Sequence, residues 1–166
     1  MNDQLTQSDI KKIQEEIEYR KLVVRKQAIE AVKEARSHGD LSENFEYYAA
    51  KKDKNKNESR IRYLERMIKT ARIISEDSKA DEVGLNNLVE LYFEEDEQSE
   101  VYKLVTTIRG NSLKKMISTE SPIGKAILGR KAGERVLVKV SEDYGYYIVI
   151  KSIDKTADDD DPIRSF

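Results

Sequence analysis

The sequence predicts an α+β protein: an antiparallel coiled-coil hairpin followed by a small antiparallel sheet with one short helix. Three observations predict it. Apolar residues recur at coiled-coil spacing on both sides of Gly39, the one glycine between residues 8 and 75, a stretch with no proline. Short β-rich runs appear only beyond about Asp81. Gly, Asn and Asp separate those runs as turn residues do.

In the first arm Ile10, Ile17, Val24 and Ala31 stand seven residues apart, with Ile13, Ala28 and Ala35 at neighbouring seam positions. Beyond Gly39 the seam returns as Tyr47, Ala50, Lys54, Asn57, Ile61, Leu64, Ile68 and Ala71, in alternating steps of three and four. Seams of matched length around a short break predict that the second helix folds back on the first. Arms of about 26–30 residues rising ~1.5 Å per residue reach roughly 40–45 Å. Such arms bury one seam and wet the rest, which accounts for a chain that is 37% charged and 38% hydrophobic. Lys54 and Asn57 place polar groups in the seam near the turn, where they are expected to fix register and weaken the distal end, or to keep polar an end that works inside a crowded, charged site.

The turn has its own signals. His38 falls in the expected last turn of the first helix, where a partly protonated imidazole suits the helix dipole. Gly39 supplies a left-handed stop. Asp40 or Ser42 can cap the second helix, and Asp40 and Glu43 have capping-box spacing.

Beyond Asp81, Leu88 to Phe93, Glu100 to Ile108, Arg135 to Val140 and Tyr146 to Ile150 read as strands. Between the middle two, Ser121 can cap a short helix, Pro122 suits its first position and Gly129 ends it. Asp158 to Asp161 form a like-charge block, read as a disordered tail. The expected divisions are a hairpin over 1–78 with its acidic turn at 39–44, a sheet domain over 79–156 and the tail over 157–166.

A net charge of −2 points to no single partner. The absence of cysteine excludes disulfides and Cys-based zinc sites, and one histidine builds neither a catalytic triad nor a zinc site. No Gly-rich phosphate or dinucleotide motif is present. With no signal-peptide pattern and no apolar run long enough to span a bilayer, a soluble, cytoplasmic, monomeric protein is expected.

Asp40 and Glu43 remain as the residues that can carry chemistry. Two carboxylates this close can share a hard cation such as Mg²⁺ but are too few to cage one, so the remaining ligands must come from elsewhere. Spacing alone equally supports a capping box, whose backbone bonds would occupy the same lone pairs. Arg36, Lys51, Lys52, Lys54 and Lys56 form a basic collar around the pair, either a solvated face or a nucleic-acid contact.

The run Ala35-Arg36-Ser37-His38-Gly39-Asp40-Leu41-Ser42-Glu43-Asn44-Phe45-Glu46-Tyr47-Tyr48-Ala49-Ala50-Lys51 resembles the tip signature of the Gre transcript-cleavage factors (GreA/GreB) of bacterial RNA polymerase. Arg60-Ile61-Arg62-Tyr63-Leu64-Glu65 resembles the family's returning helix. The stretch from Ser121 through Gly129 to Glu134 resembles the signature of its FKBP-like C-terminal domain. This resemblance implies a transcription elongation factor that is not itself an enzyme. The C-terminal domain would dock on the rim of the polymerase secondary channel, with Lys125 and Arg130 as candidate docking residues. The coiled coil would pass down the channel and stimulate hydrolysis of the nascent RNA 3′ end in a backtracked complex. It implies Asp40 and Glu43 as ligands, Asp40 mainly, to a Mg²⁺ shared with the polymerase and not held by the free protein. Glu43 would orient or deprotonate the attacking water, and Ser42 and Asn44 would steady the turn. A Gre-like paralogue that occupies the channel without cleavage is the alternative reading; a coiled-coil chaperone or a prolyl isomerase is a more distant one. The chain departs from the family pattern at Phe45, where Ala is frequent, and in its acidic tail. Phe45 is expected to plug the hairpin, with an altered contact inside the channel as the alternative.

Overall fold

In the computed structural model, which describes residues 3–39 and 44–164, the seam residues gather as two antiparallel arms. The first arm comprises α1 (Gln7–Tyr19), a π-helical segment (Arg20–Val24) and α2 (Arg25–Arg36); the second is α3 (Phe45–Thr70). Bonds between Asn44 and Ala35, Glu58 and Arg25, Asn57 and Arg20, and Arg60 and Glu16 fix the antiparallel direction. Of the expected seam residues Ile13, Ala35, Ile61 and Leu64 are buried, and Met67 is buried beside a half-buried Ile68.

One seam expectation fails, and the π segment explains it. Ala31 is exposed and Val32 is half-buried in its place. The Arg25 amide donates to the Arg20 carbonyl five residues back, adding one residue to that turn. The covered seam positions are 10, 13 and 17 before it, 20 and 24 within it, and 28, 32 and 35 after it, the last three each one later than an unbroken heptad would place them. Asn57, 5% exposed, meets this segment directly. Its Nδ2 donates to the Arg20 carbonyl (3.4 Å) and its Oδ1 accepts from Arg20 Nη1 (3.0 Å). The polar seam residue is therefore bonded across the hairpin, as register-setting requires.

Next to it lies a charged cluster. Arg60, with a side chain 7% exposed, donates through Nε to Glu16 (2.8 Å), and Arg20 Nε donates to the same carboxylate (2.7 Å). Burial pushes the Glu16 carboxyl up, but the hydrogen bonds and charges of Arg60 and Arg20 outweigh it and hold the group below its ordinary value.

The chain divides into two compact units, Met1–Asp3 with Ser8–Arg72, and Gln4–Gln7 with Ile73–Phe166. A pair of strands absent from the sequence reading, β1 (Gln4–Leu5) and β2 (Arg72–Ile73), forms a small ribbon.

In the second unit β3 (Leu88–Phe93), β4 (Gln98–Val105), β5 (Met116–Ser118), β6 (Arg135–Lys139) and β7 (Gly145–Asp154) form one sheet in the order β5-β4-β3-β7-β6. The expectation of a purely antiparallel sheet is corrected here. β5, unrecognised in the sequence, runs parallel to β4, with Lys103 opposite Met116. Two 3₁₀ turns, Thr107–Arg109 and Ser112–Lys114, carry the crossover that parallel pairing needs. Alternate residues Val136 and Val138 of β6 join Val89, Leu91, Leu104, Ile148 and Ile150 in the core. The short helix α4 (Pro122–Ile127) forms as its capping signals predict, with Ser121 Oγ accepting from the Gly124 amide (3.0 Å). Gly124 is required by packing: a Cβ there would run into the Ser118 carbonyl.

The acidic tail, expected to be disordered, instead lies on the second unit. Lys103 Nζ donates to the Asp158 carbonyl (2.6 Å) and to the Asp161 carboxylate, and Arg109 donates to the Asp159 carbonyl. The Arg164 amide donates to the Ile108 carbonyl (2.7 Å). Lys103 and Arg109 are nearly buried, and buried cations require such partners. Among the described residues, no helix is long and apolar enough to cross a membrane.

Candidate functional site

Asp40, Ser42 and Glu43 lie outside the described residues, and the side chains on either side of them frame the site. Asn44 is the most informative. It is the N-cap of α3, with φ −90° and ψ 92°, and its Oδ1 accepts from the Tyr47 amide (3.0 Å). The capping role expected of Asp40 or Ser42 therefore belongs to Asn44. The physical reason is where the helix begins: α3 starts at Phe45, and asparagine is among the strongest N-caps.

Asn44 also uses its other end. Nδ2 donates to the Ala35 carbonyl (2.6 Å), in the last turn of α2, where carbonyls lack intrahelical partners. One amide side chain thus bonds both arms: it caps α3 and adds a second donor to the Ala35 carbonyl, which also accepts from the His38 amide (3.2 Å). The sequence reading gave Asn44 a steadying role through resemblance only; the signal for this geometry was an asparagine directly before a helical run.

On the other side, Gly39 has φ +125°, a conformation that L side chains rarely adopt, as the stop signal required. His38 departs from its expected role. α2 ends at Arg36, and His38 lies past it with Nδ1 2.8 Å from a Glu46 carboxylate oxygen in the first turn of α3. That hydrogen bond, with the charges of Glu46 and Glu34, raises the imidazole pKa above its ordinary value. This second strap across the turn was missed, although the two residues straddle the break at a spacing that permits it.

The basic collar does not act as one set. The Arg36 guanidinium stands 5.5 Å from the centroid of the Tyr47 ring. Its hydrogen bond, with Lys51 and Lys54 nearby, holds the Tyr47 phenol below its usual range. Lys54 is half-buried, in keeping with its seam position, whereas Lys51, Lys52 and Lys56 are exposed. Phe45 is 85% exposed, so it does not plug the hairpin. Half-buried Tyr47 and buried Ala35 fill that end of the seam instead.

In the second unit Lys125 and Arg130, the candidate docking residues, lie on the surface with side chains 66% and 55% exposed. Each is near an acid of its own chain, Glu120 at 4.0 Å and Glu134 at 3.8 Å.

Two family models match in chain order. Residues 3–73 match "Transcription elongation factor, N-terminal", and residues 77–155 match "Transcription elongation factor, GreA/GreB, C-term". A protein of Caldanaerobacter subterraneus named transcription elongation factor GreA is 44% identical over 137 residues, 82% of this chain and 87% of its own. The chain belongs to the GreA/GreB family of transcription elongation factors. A GreA of Chloroherpeton thalassium is 43% identical over 148 residues, covering 88% of this chain and 93% of that protein. The GreA of Bacillus subtilis is 40% identical over 135 residues, 81% of this chain and 86% of its own. Among solved structures, the transcription factor Gfh1 is similar at 24% identity and a TM-score of 0.46, over 92% of this chain and 97% of that one.

Proposed function

We propose that this chain enters the secondary channel of a bacterial RNA polymerase, hairpin turn leading, and stimulates Mg²⁺-dependent cleavage of backtracked nascent RNA. The observation that carries this reading is the acid pair in the turn of a GreA/GreB family hairpin, between Gly39 and the two-ended clamp of Asn44. The factor itself is not an enzyme: the polymerase owns the active centre and the chain delivers two side chains to it.

The donor set fits Mg²⁺ only as a half-site. Asp40 and Glu43 offer hard carboxylate oxygens, which suit the ion, but two such side chains leave most of an octahedral shell to polymerase acids, phosphates and water. When bound there, Mg²⁺ supplies Lewis-acid polarisation and a bound water of lowered pKa. Asp40 would serve mainly as ligand. Glu43 would orient the attacking water and accept its proton. Ser42 and Asn44 would hold the turn in place. Arg36, Lys51, Lys52, Lys54 and Lys56 would oppose the negative charge of the nucleic-acid backbone. Lys125 and Arg130 would meet an acidic surface at the channel rim. The partners are then the polymerase and the RNA 3′ end, and the setting is the bacterial cytoplasm, with the factor acting as a monomer.

The test is a stalled, backtracked elongation complex incubated with this protein and Mg²⁺. Short 3′ RNA fragments should be released. Asp40→Asn and Glu43→Gln should each suppress release by at least about tenfold, roughly 1.4 kcal/mol in barrier, while polymerase binding stays nearly intact. Binding with slowed nucleotide addition and no fragments would identify a channel-occupying regulator instead. Full activity in the double variant would overturn the mechanism.

A further inference from the structure

We infer that one exposed stripe of α3, Phe45, Tyr48, Lys52 and Lys56, is a cradle for unpaired RNA, with the two rings stacking on bases and the two lysines facing phosphates. This rests on the reading that the hairpin turn meets nascent RNA, and it adds which side chains position the strand.

The stripe follows from helix geometry. Positions 45, 48, 52 and 56 are spaced by three, four and four, so they share one face, and all four are exposed. Phe45 is 85% exposed and Tyr48 is 52% exposed. Burying a phenylalanine is worth about 1.5–3 kcal/mol, and the hairpin forgoes that here although its seam lies on the opposite side of the same helix. Tyr47 does the structural work at this level, half-buried and under Arg36. Neither Phe45 nor Tyr48 fills the seam.

The charges on the same face point the same way. Further from the turn the cross-hairpin cations are matched: Arg25 with Glu58, Lys21 with Glu65, and Arg60 with Glu16. Lys52 and Lys56 face away from the other arm, beyond reach of its acids, and make no ion pair among the described residues. Two ammonium groups left open beside two exposed rings match a ligand that carries both flat apolar faces and regular negative charge. Single-stranded nucleic acid has this pairing, and its binding sites combine basic grooves with aromatic platforms. An apolar protein surface would use the rings but gain nothing from the lysines.

Covalent geometry puts the stripe where it matters. Phe45 follows Glu43 by two positions in the sequence, so the stripe begins beside the acid pair along the chain. A base stacked on Phe45 would hold the adjoining phosphodiester near the acid pair. Phe45 is thus a positioning residue and takes no part in bond making.

The test uses the full chain on backtracked complexes whose RNA ends in either a normal nucleotide or an abasic one. Phe45→Ala should slow fragment release about tenfold on normal RNA, within the range for loss of one stacked base. On the abasic RNA the same substitution should change the rate less than about twofold. Phe45→Trp should restore release and Phe45→Leu should not, because stacking needs a π face. A 2-aminopurine at the 3′ position should lose fluorescence on adding the wild-type chain and not on adding Phe45→Ala. An equal loss on both RNAs would mean that Phe45 touches protein, and no loss on either would mean that it touches nothing; both overturn the inference. Absence of fragment release with quenching intact would sink the cleavage function and leave the stacking standing. Absence of both would sink both.

Discussion

Replacing Asn44 with alanine removes two hydrogen bonds that act on different helices. The first is the N-cap bond to the Tyr47 amide (3.0 Å), and such a loss costs about 1 kcal/mol. The second is the bond to the Ala35 carbonyl (2.6 Å), whose residue is only 4% exposed; a net bond of this kind is worth about 1 kcal/mol. Together the turn should open more easily by about 2 kcal/mol, or roughly 30-fold in local opening. Amide hydrogen exchange reads this directly. Tyr48 is the better reporter, because its amide bonds the Asn44 main-chain carbonyl (3.3 Å), which the substitution leaves in place. Asn44→Asp separates the two contributions: a carboxylate still caps Tyr47 but has no proton to give Ala35, so about half the loss should remain. Fragment release in the polymerase assay should fall with the opening, since Asp40 and Glu43 sit in the segment that Asn44 closes. A Tyr48 exchange rate within about threefold of wild type in Asn44→Ala would refute the reasoning.

Two further substitutions and one control probe the packing of the two units. Glu16→Gln should destabilise the hairpin by about 2 kcal/mol, less than a fully buried pair would lose, because Glu16 is 24% exposed while Arg60 is 7% exposed. The folded-state pKa of Glu16 is lowered, so its contribution is complete above the ordinary carboxylate value of about 4.3 and is lost as pH falls through the lower folded value. Urea melts at pH 7, 4 and 3 should therefore show a smaller acid-induced loss in Glu16→Gln than in wild type. Gly124→Ala should destabilise the second unit by about 3 kcal/mol in thermal melts, because the new methyl group meets the Ser118 carbonyl and backbone cannot step aside cheaply. Gly129→Ala is the control: with φ +78° and nothing within 4 Å of its Cβ, it should cost about 1 kcal/mol from backbone strain alone.

Repeating, local signals made much of this protein readable in its sequence. The α3 seam over Tyr47, Ala50, Lys54, Asn57, Ile61 and Leu64 is covered as its spacing requires, because helix periodicity decides which side chains share a face. The Ser121 cap and the stop at Gly39 are equally local, each set by one side chain and the backbone beside it. The family string around the turn was legible for the same reason, and residues 3–73 match the family's N-terminal model. A motif is contiguous, so it can be read without the fold.

What the sequence could not determine depends on residues far apart in the chain. The one-residue shift of the first arm arises at Arg20 to Val24, where Asn57 of the other arm bonds the Arg20 carbonyl. The parallel β5 strand is three residues long and acquires its identity only by pairing with Lys103 to Val105. The tail looked disordered because like charges repel, yet Lys103 and Arg109, more than fifty positions away on average, provide the countercharge. Composition read Phe45 as hydrophobic and therefore covered. Only the folded hairpin, with Tyr47 already occupying the seam, leaves that ring in solvent, because a helix has one face for its partner and Phe45 is on the other.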